Sequence, residues 1–360
     1  MVKISDVAAL AGVSASAVSR VLSGDTTLRV APATRERVVA AARELRYVPN
    51  HAARSLRTSL SRTIALVVPD VTSAVFAELA SGAEGEAASR GLAIVLARAE
   101  RLTDGSDWMQ QMVGEARIDG VILQLPDAPS DIDLGLMAIG STPIVVINSI
   151  DHGPLSTVVL DDAAGIGAAV GHLLSAGHTQ VGFIGGHQDS ATGRRREAGF
   201  RQAIAEAGLV ARSEWVTNFG YSGADGRAAM EALAGRGSLP TAIVVANLNA
   251  ALGVLAEIHA RDLRVPTDIS IVALHDVWYA DATWPPITTV RMPLSELGAA
   301  AVARLMAGDS NISHDTVRSP KPVVVVRQST GSPCPNSGPT WSMRKGAISN
   351  DEHQNPGSAS

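Results

Sequence analysis

Cysteine is almost missing from this chain: Cys334 is the single one, in a polar C-terminal stretch. One cysteine makes no intrachain disulfide, which excludes a disulfide-stapled secreted scaffold. Long apolar runs are missing too. None reaches the roughly 18–20 residues of a membrane-spanning helix, and the opening MVKISDVAAL has no apolar core of a secretory signal. A cytoplasmic protein without a membrane partner is expected. Common catalytic signatures are also lacking: there is no GxSxG, HExxH or Walker loop. GIGAAVG (165–171) puts three residues, not two, between its later glycines and lies inside a predicted helix, so it fails the dinucleotide fingerprint. No enzymatic activity, cofactor or metal is expected.

What is present is a globular composition, 46% hydrophobic and 18% charged over 360 residues. That length suits about two to three structural units. The net charge of −5 counts against a nucleic-acid partner, but it hides an asymmetry. Residues 1–62 hold ten Lys/Arg and four Asp/Glu, a net +6, which leaves −11 for the remainder. A basic headpiece on an acidic body is the electrostatic footprint of a DNA-binding module joined to another domain.

The stretch ISDVAALAGVSASAVSRVL (4–22) reads as two short helices with a tight turn. Ser5 and Ser14 are placed to N-cap them, each hydroxyl accepting an orphan backbone N–H. Val7, Ala8 and Leu10 form the first helix's apolar face, and Gly12 suits its left-handed end. Val18 and Leu22 give the second helix its inward stripe, which leaves Ala15, Ser16, Ser19 and Arg20 outward. Two readings fit: an ordinary helical hairpin, and a helix-turn-helix whose second helix enters a DNA major groove. The basic headpiece favours the second.

A third helix is predicted over 34–47, capped by Thr34, with Val38, Ala41, Ala42 and Leu45 inward. Pro49-Asn50 stops it. HAARSLRTS (51–59) can form a short helix with Ala53 and Leu56 on one face. Such a helix is marginal alone and reads as a linker without DNA. On DNA, two copies from a dimer can pair in the minor groove, with Leu56 wedged between base steps.

From Thr63 strands and helices alternate. The predicted strands include 63–68, 92–97, 120–125, 143–147, 157–160, 180–185, 215–219, 241–246, 270–274, 287–292 and 322–326. Between them lie predicted helices at 75–90, 106–117, 132–139, 163–176, 194–207, 224–234, 250–261 and 294–307. Apolar strands without alternation, separated by helices, argue parallel sheets covered on both faces. They fall into two series, the second starting at 157–160, and hence two α/β lobes with a ligand cleft at the strands' carboxyl ends. His178 is expected to cap carbonyls at a helix end. Gly331–Ser360 is rich in Ser, Pro, Gly and Asn, lacks leucine heptads and is predicted to be disordered.

The motifs ISDVAALAGVSASAVSRVLSG, TRERV, YVPNHAARSLRT, IALVVPD, HLLSAGHTQVGFIGG, AGFRQAIAEAGL and PPITTVRMPLSELG follow in order from residue 4 to about 330. Together they resemble the lactose-repressor (LacI/GalR) family of bacterial transcription regulators. The resemblance implies a three-helix headpiece at 1–48, a hinge at 49–60, a core at 61–330 like the periplasmic sugar-binding proteins, and a tail at 331–360. Within the core it implies an N-lobe of about 61–160 and 291–320 and a C-lobe of about 161–290 and 321–330. The implied function is repression by a homodimer on a pseudo-palindromic operator, under a small-molecule effector. By position, Ala15, Ser16 and Arg20 fall on base-reading sites, Ser5, Ser14 and Ser19 on phosphate contacts, and Asn50, Ala53 and Leu56 on the hinge pattern. Effector positions are Val75, Phe76, Asn148, Arg196, Asn247 and His275, with Phe219 and Tyr221 as further rings to stack on a ligand.

The chain departs from the family where Asp is common, at Asn148, Leu248 and His275. Lost negative charge and a titratable imidazole suit a carboxylated or otherwise anionic effector, so a sugar-acid-like ligand is expected beside the family's sugars. Read without the family, Arg196 is one surface charge among Arg194, Arg195 and Arg196. Two other functions stay open: a core that only dimerises, and a cytoplasmic solute-binding protein.

Overall fold

The computed structural model describes residues 2–23, 25, 27–48, 60–102, 108, 110–126, 142–149, 155–307 and 311–334. The chain divides into two compact units, residues 1–63 with 110–119 and residues 64–109 with 120–360.

In the first unit α1 (Ile4–Ala11), α2 (Ala15–Leu22) and α3 (Pro32–Glu44) enclose a small core of Val7, Ala8, Ala11, Val18, Val21, Val38, Ala41 and Ala42. The cap of α1 is not Ser5. Lys3 takes that place, with its N–H held by the Asp6 carboxylate at 2.8 Å, and Ser5 lies inside the first turn. Leu10 points away from the core, 49% exposed. Gly12 ends α1 at φ +65°, where a side chain would strain the backbone. Ser14 caps α2 by accepting the Ala17 N–H at 3.2 Å. The buried stripe of α2 is Val18 with Val21, and Leu22 is only half-buried. Helix α3 starts earlier than Thr34 because Pro32 occupies its first turn. There the missing N–H costs no hydrogen bond.

The second unit holds two six-stranded sheets. The first has the order β11-β5-β4-β3-β1-β2, where β1 is Thr63–Val68, β2 Ala93–Arg98, β3 Gly120–Leu123, β4 Ile144–Ile147, β5 Ser156–Leu160 and β11 His314–Val317. The second has the order β12-β10-β9-β8-β6-β7, where β6 is Val181–Gly185, β7 Val216–Asn218, β8 Ala242–Val245, β9 Ser270–Leu274, β10 Thr288–Arg291 and β12 Val323–Val325. Its pairs are parallel except β12, which runs antiparallel to β10. Residues 156–160 therefore belong to the first sheet, between β4 and β11, rather than opening the second series. The edge strand β11 was not foreseen, because HDTV lacks an apolar run. Strand β2 departs from two-sided burial: as an edge strand it leaves Val95 and Leu96 exposed.

The helices are α4 (Ala74–Ser89), α5 (Asp162–Ser175), α6 (Ala191–Glu206), α7 (Gly223–Ala234), α8 (Leu248–Ala260) and α9 (Leu294–Leu305). Helices α4 and α9 pack backbone against backbone. A methyl group on Gly82 would overlap the Ser295 carbonyl, and one on Gly298 the Leu79 carbonyl. Of the helix predicted at 106–117, residues 106, 107 and 109 lie outside the described residues, and Gln110–Gly114 forms a π-helix. The predicted helix at 132–139 lies outside the described residues, as does the tail beyond Cys334. The tail's first residue is fastened: Gly331 donates its N–H to Ser270 Oγ at 3.1 Å, and its carbonyl accepts from His178 Nε2 at 2.8 Å. The buried His178 ring thus anchors the chain's return, and its backbone N–H, not the ring, caps α5 at the Leu173 carbonyl. No single helix among the described residues is long and apolar enough to cross a membrane.

Candidate functional site

Where strands of both sheets end and α4 and α6 begin, the second unit holds a cavity of about 200 Å³. Val75, Phe76, Asn148, Arg196, Asn247 and His275 all line it. Phe219 does not. Strand β7 stops at Asn218 and the chain turns at Gly220 (φ +148°), which brings Tyr221 to the cavity and leaves Phe219 38% exposed. Asn148 after β4 and His275 after β9 both have left-handed backbones, φ +57° and +73°. Non-glycine residues hold that conformation only where the surroundings enforce it, often at functional sites.

Arg196 organises the site. Successive residues on a helix point about 100° apart, so the three arginines of α6 diverge. Arg194 turns to the Asp189 carbonyl at 2.9 Å, Arg195 is half-buried and Arg196 is 3% exposed. Arg196 Nε donates to Asp162 Oδ1 (2.8 Å), Nη1 to the Ala246 carbonyl (2.7 Å), and Nη2 faces His275 Nε2 (3.1 Å). Its guanidinium also lies 5.2 Å from the Tyr221 ring centre, a cation–π distance. Asp162, 2% exposed, takes Arg195 as well, through Oδ2 at 2.8 Å. Arg195 Nη2 and the Thr192 hydroxyl both donate to the Asn148 carbonyl, at 3.1 and 2.7 Å, which ties α6 to the first sheet.

Guanidinium groups only donate, so His275 Nε2 accepts and the ring proton sits on Nδ1. Burial, reinforced by the Arg196 charge, holds the imidazole well below its ordinary pKa. The ring is therefore a neutral donor, not the cation that a sugar-acid pocket would use. His275 Nδ1 is a buried atom without a partner among the described residues, and so is Asn148 Oδ1, whose amide nitrogen donates to Gln124 Oε1 at 3.0 Å. Asn247 uses its side-chain oxygen to cap α8, accepting the Asn249 N–H at 2.7 Å. Leu248 is core. Asn249 reaches across the cleft to Ser73 Oγ at 3.2 Å.

Sequence reasoning missed Asp162, Gln124, Thr192, Ser73 and Asn249. Asp161-Asp162 ahead of an apolar helix was the available signal for the first. Asp161 caps α5 at the Ala164 N–H (3.1 Å), which frees Asp162 to meet the arginines.

In the first unit Ser5, Ser14, Ala15 and Ser16 are exposed, while Ser19 and Arg20 are half-exposed. Arg20 Nε pairs with Asp25 Oδ2 at 2.7 Å. Hydrogen bonds from the Thr27 side chain, then from Arg20, hold the Asp25 carboxyl far below the usual carboxylate range. Asn50, Ala53 and Leu56 lie outside the described residues.

Residues 3–50 match the family model for bacterial regulatory proteins of the lacI family, and residues 170–330 match the periplasmic binding protein-like domain. The HTH-type transcriptional repressor PurR of Photobacterium profundum is 32% identical over 333 residues, 91% of this chain and 98% of that protein. Among solved structures, a LacI family transcriptional regulator from Mycobacterium smegmatis superposes with a TM-score of 0.69 at 37% identity, over 75% of this chain and 100% of its own. The lac repressor dimer bound to operator and the anti-inducer ONPF gives a TM-score of 0.73 at 26% identity, over 92% of this chain and 99% of its own. The chain belongs to the lacI family of bacterial regulatory proteins and is an effector-controlled transcriptional repressor.

Proposed function

We propose that this repressor works in the cytoplasm as a homodimer on a pseudo-palindromic operator and performs no catalysis. Two-fold symmetry in the protein calls for mirrored half-sites in the DNA. Each α2 lies in a major groove, with Ala15, Ser16 and Arg20 toward base edges and Ser5, Ser14 and Ser19 toward phosphates. The hinge residues Asn50, Ala53 and Leu56 enter the minor groove between them. The +6 charge of residues 1–62 supports DNA binding by this end of the chain. Effector binding in the cleft shifts the lobes and with them the hinges. Such coupling is typically about 1–3 kcal/mol.

The effector is a small uncharged molecule with hydrogen-bonding groups, such as a sugar or a polar heterocycle. One observation carries this: two residues lining the cavity hold buried atoms of opposite character without partners among the described residues, the donor His275 Nδ1 and the acceptor Asn148 Oδ1. Each unmatched buried group costs about 1–3 kcal/mol, which a ligand that accepts from one and donates to the other recovers. A carboxylate would instead need a cation with donors to spare, and Arg196 already commits Nε to Asp162, Nη1 to the Ala246 carbonyl and Nη2 to His275.

Calorimetric titration of the full chain with neutral sugars, purine bases and sugar acids tests this. Binding by a neutral compound, with a matching change in operator affinity, is the expected result. Binding confined to carboxylates would overturn the neutral reading.

A further inference from the structure

We infer that Asp25 and Thr27, in the loop after α2, are positioning residues that set the Arg20 guanidinium for one base, guanine. The inference rests on Arg20 reading a base.

Arg20 is the sole basic residue of α2, and the side chains exposed at the start of that helix are those of Ala15 and Ser16. Small side chains discriminate weakly among bases, so Arg20 carries most of the discrimination available to this helix. Yet it is tied into a closed ring of hydrogen bonds. Its Nε donates to Asp25 Oδ2 at 2.7 Å and its Nη2 to Thr27 Oγ1 at 3.0 Å. The Thr27 hydroxyl passes its own hydrogen to Asp25 Oδ1 at 2.7 Å, and the Thr27 N–H goes to the same oxygen at 2.8 Å. The Asp25 N–H closes the loop onto the Arg20 carbonyl at 3.0 Å.

A guanidinium presents two forks of parallel N–H groups, one from Nε with Nη2 and one from Nη1 with Nη2. Asp25 and Thr27 occupy the first. The second stays open, since Nη1 has no hydrogen bond among the described residues. An open end fork of two donors matches the adjacent acceptors O6 and N7 of guanine. Adenine answers it badly, because it shows a donor beside N7.

The charge makes the same point. Asp25 is one of four acids in a segment that carries ten basic residues. A carboxylate near DNA opposes phosphate binding, so its placement on Arg20 is not explained by affinity. Pairing weakens the pull of phosphates on Arg20 and fixes the direction of its fork, which favours selectivity over grip.

Selection from a pool of randomised duplexes, using full-length protein, tests this with the variants Arg20→Ala, Asp25→Asn, Thr27→Val and Thr27→Ser. Wild-type protein should enrich a G·C pair at one position in each half-site. Arg20→Ala should abolish the preference there, a loss of about 5- to 150-fold in discrimination. Asp25→Asn and Thr27→Val should loosen it at that same position by about 2- to 12-fold, the factor for freezing one rotamer-rich side chain. Thr27→Ser, which keeps the hydroxyl, should restore it. Melting curves of each variant check that the headpiece is folded, and Thr27→Val repeats the test without a charge change. If Arg20→Ala shifts the preference while Asp25→Asn and Thr27→Val do not, the positioning role is overturned and base reading by Arg20 stands. If Arg20→Ala changes nothing at any position, both fall together.

Discussion

Asp162→Ala isolates the energetics of the cleft. Asp162 is 2% exposed and Arg196 3% exposed, and the two meet at 2.8 Å. Removing the carboxylate takes the counter-charge from two guanidiniums, Arg195 and Arg196, and leaves Arg196 facing the uncharged Ala246 carbonyl, His275 ring nitrogen and Tyr221 ring. Breaking a buried pair by deleting one partner costs about 3–5 kcal/mol. An effective dielectric of about 20 gives ~4 kcal/mol for unit charges at about 4 Å, which agrees. Asp162 also sits in the first turn of α5, where an acid adds about 0.3–1 kcal/mol. The variant should therefore lose about 3–6 kcal/mol. At ~2–4 °C per kcal/mol for a large domain, the melting point should fall by about 6–24 °C. Urea and calorimetric melts of the full chain measure it. The double variant Asp162→Leu with Arg196→Met removes the more deeply buried cation and leaves only the partly exposed Arg195 without its carboxylate, so it should be more stable than Asp162→Ala alone. A loss under about 1 kcal/mol in Asp162→Ala, or a double variant no better than that single one, would refute the claim that pairing dominates here.

Gly298→Ala forces a methyl into the Leu79 carbonyl. It should cost at least about 1–3 kcal/mol, read as a lower urea midpoint. His172, His178 and His275 are all held below the ordinary histidine value of 6.5, chiefly by burial. The unfolded chain then binds protons more readily, so their contribution is complete above about pH 6.5 and is lost as pH falls below it. Urea midpoints at pH 7.5 and 5.5 should show the drop, and His275→Gln should flatten it; an equal slope in that variant would remove His275 from the account. Leu56→Gly, at the predicted hinge, should weaken operator binding and DNA bending in footprinting and gel-shift assays while the core melts normally.

The strands were legible because two-sided burial writes itself as short apolar runs, as in TIALVV and SIVAL, which form β1 and β9 over the residues expected. Edge strands carry no such mark: HDTV has no apolar run to announce a strand, and LAIVLA reads as covered on both faces although it lies at an edge. Caps were legible where one residue had no rival, as at Ser14, and misread where Asp6 and Pro32 competed with Ser5 and Thr34. The cleft positions came from the family pattern. Their chemistry did not, because the state of His275 is decided by Arg196 and by burial, both contributed by residues distant in the chain. Phe219 and Tyr221 could not be separated by sequence, since the turn at Gly220 decides which ring faces inward.

The interleaved order of the two sheets has a consequence for synthesis. Strand β5 has been made by residue 160, yet its outer neighbour β11 arrives only at 314–317, and α9, which covers α4, at 294–305. While the ribosome adds the whole second sheet but its last strand, the first remains an open-edged intermediate with an uncovered apolar face. Such a nascent chain is exposed to aggregation for about 8–30 s at ~5–20 residues per second. Translation speed between residues 160 and 317, and the chaperones present meanwhile, should therefore govern the yield of active repressor more than any truncation-friendly boundary between the sheets.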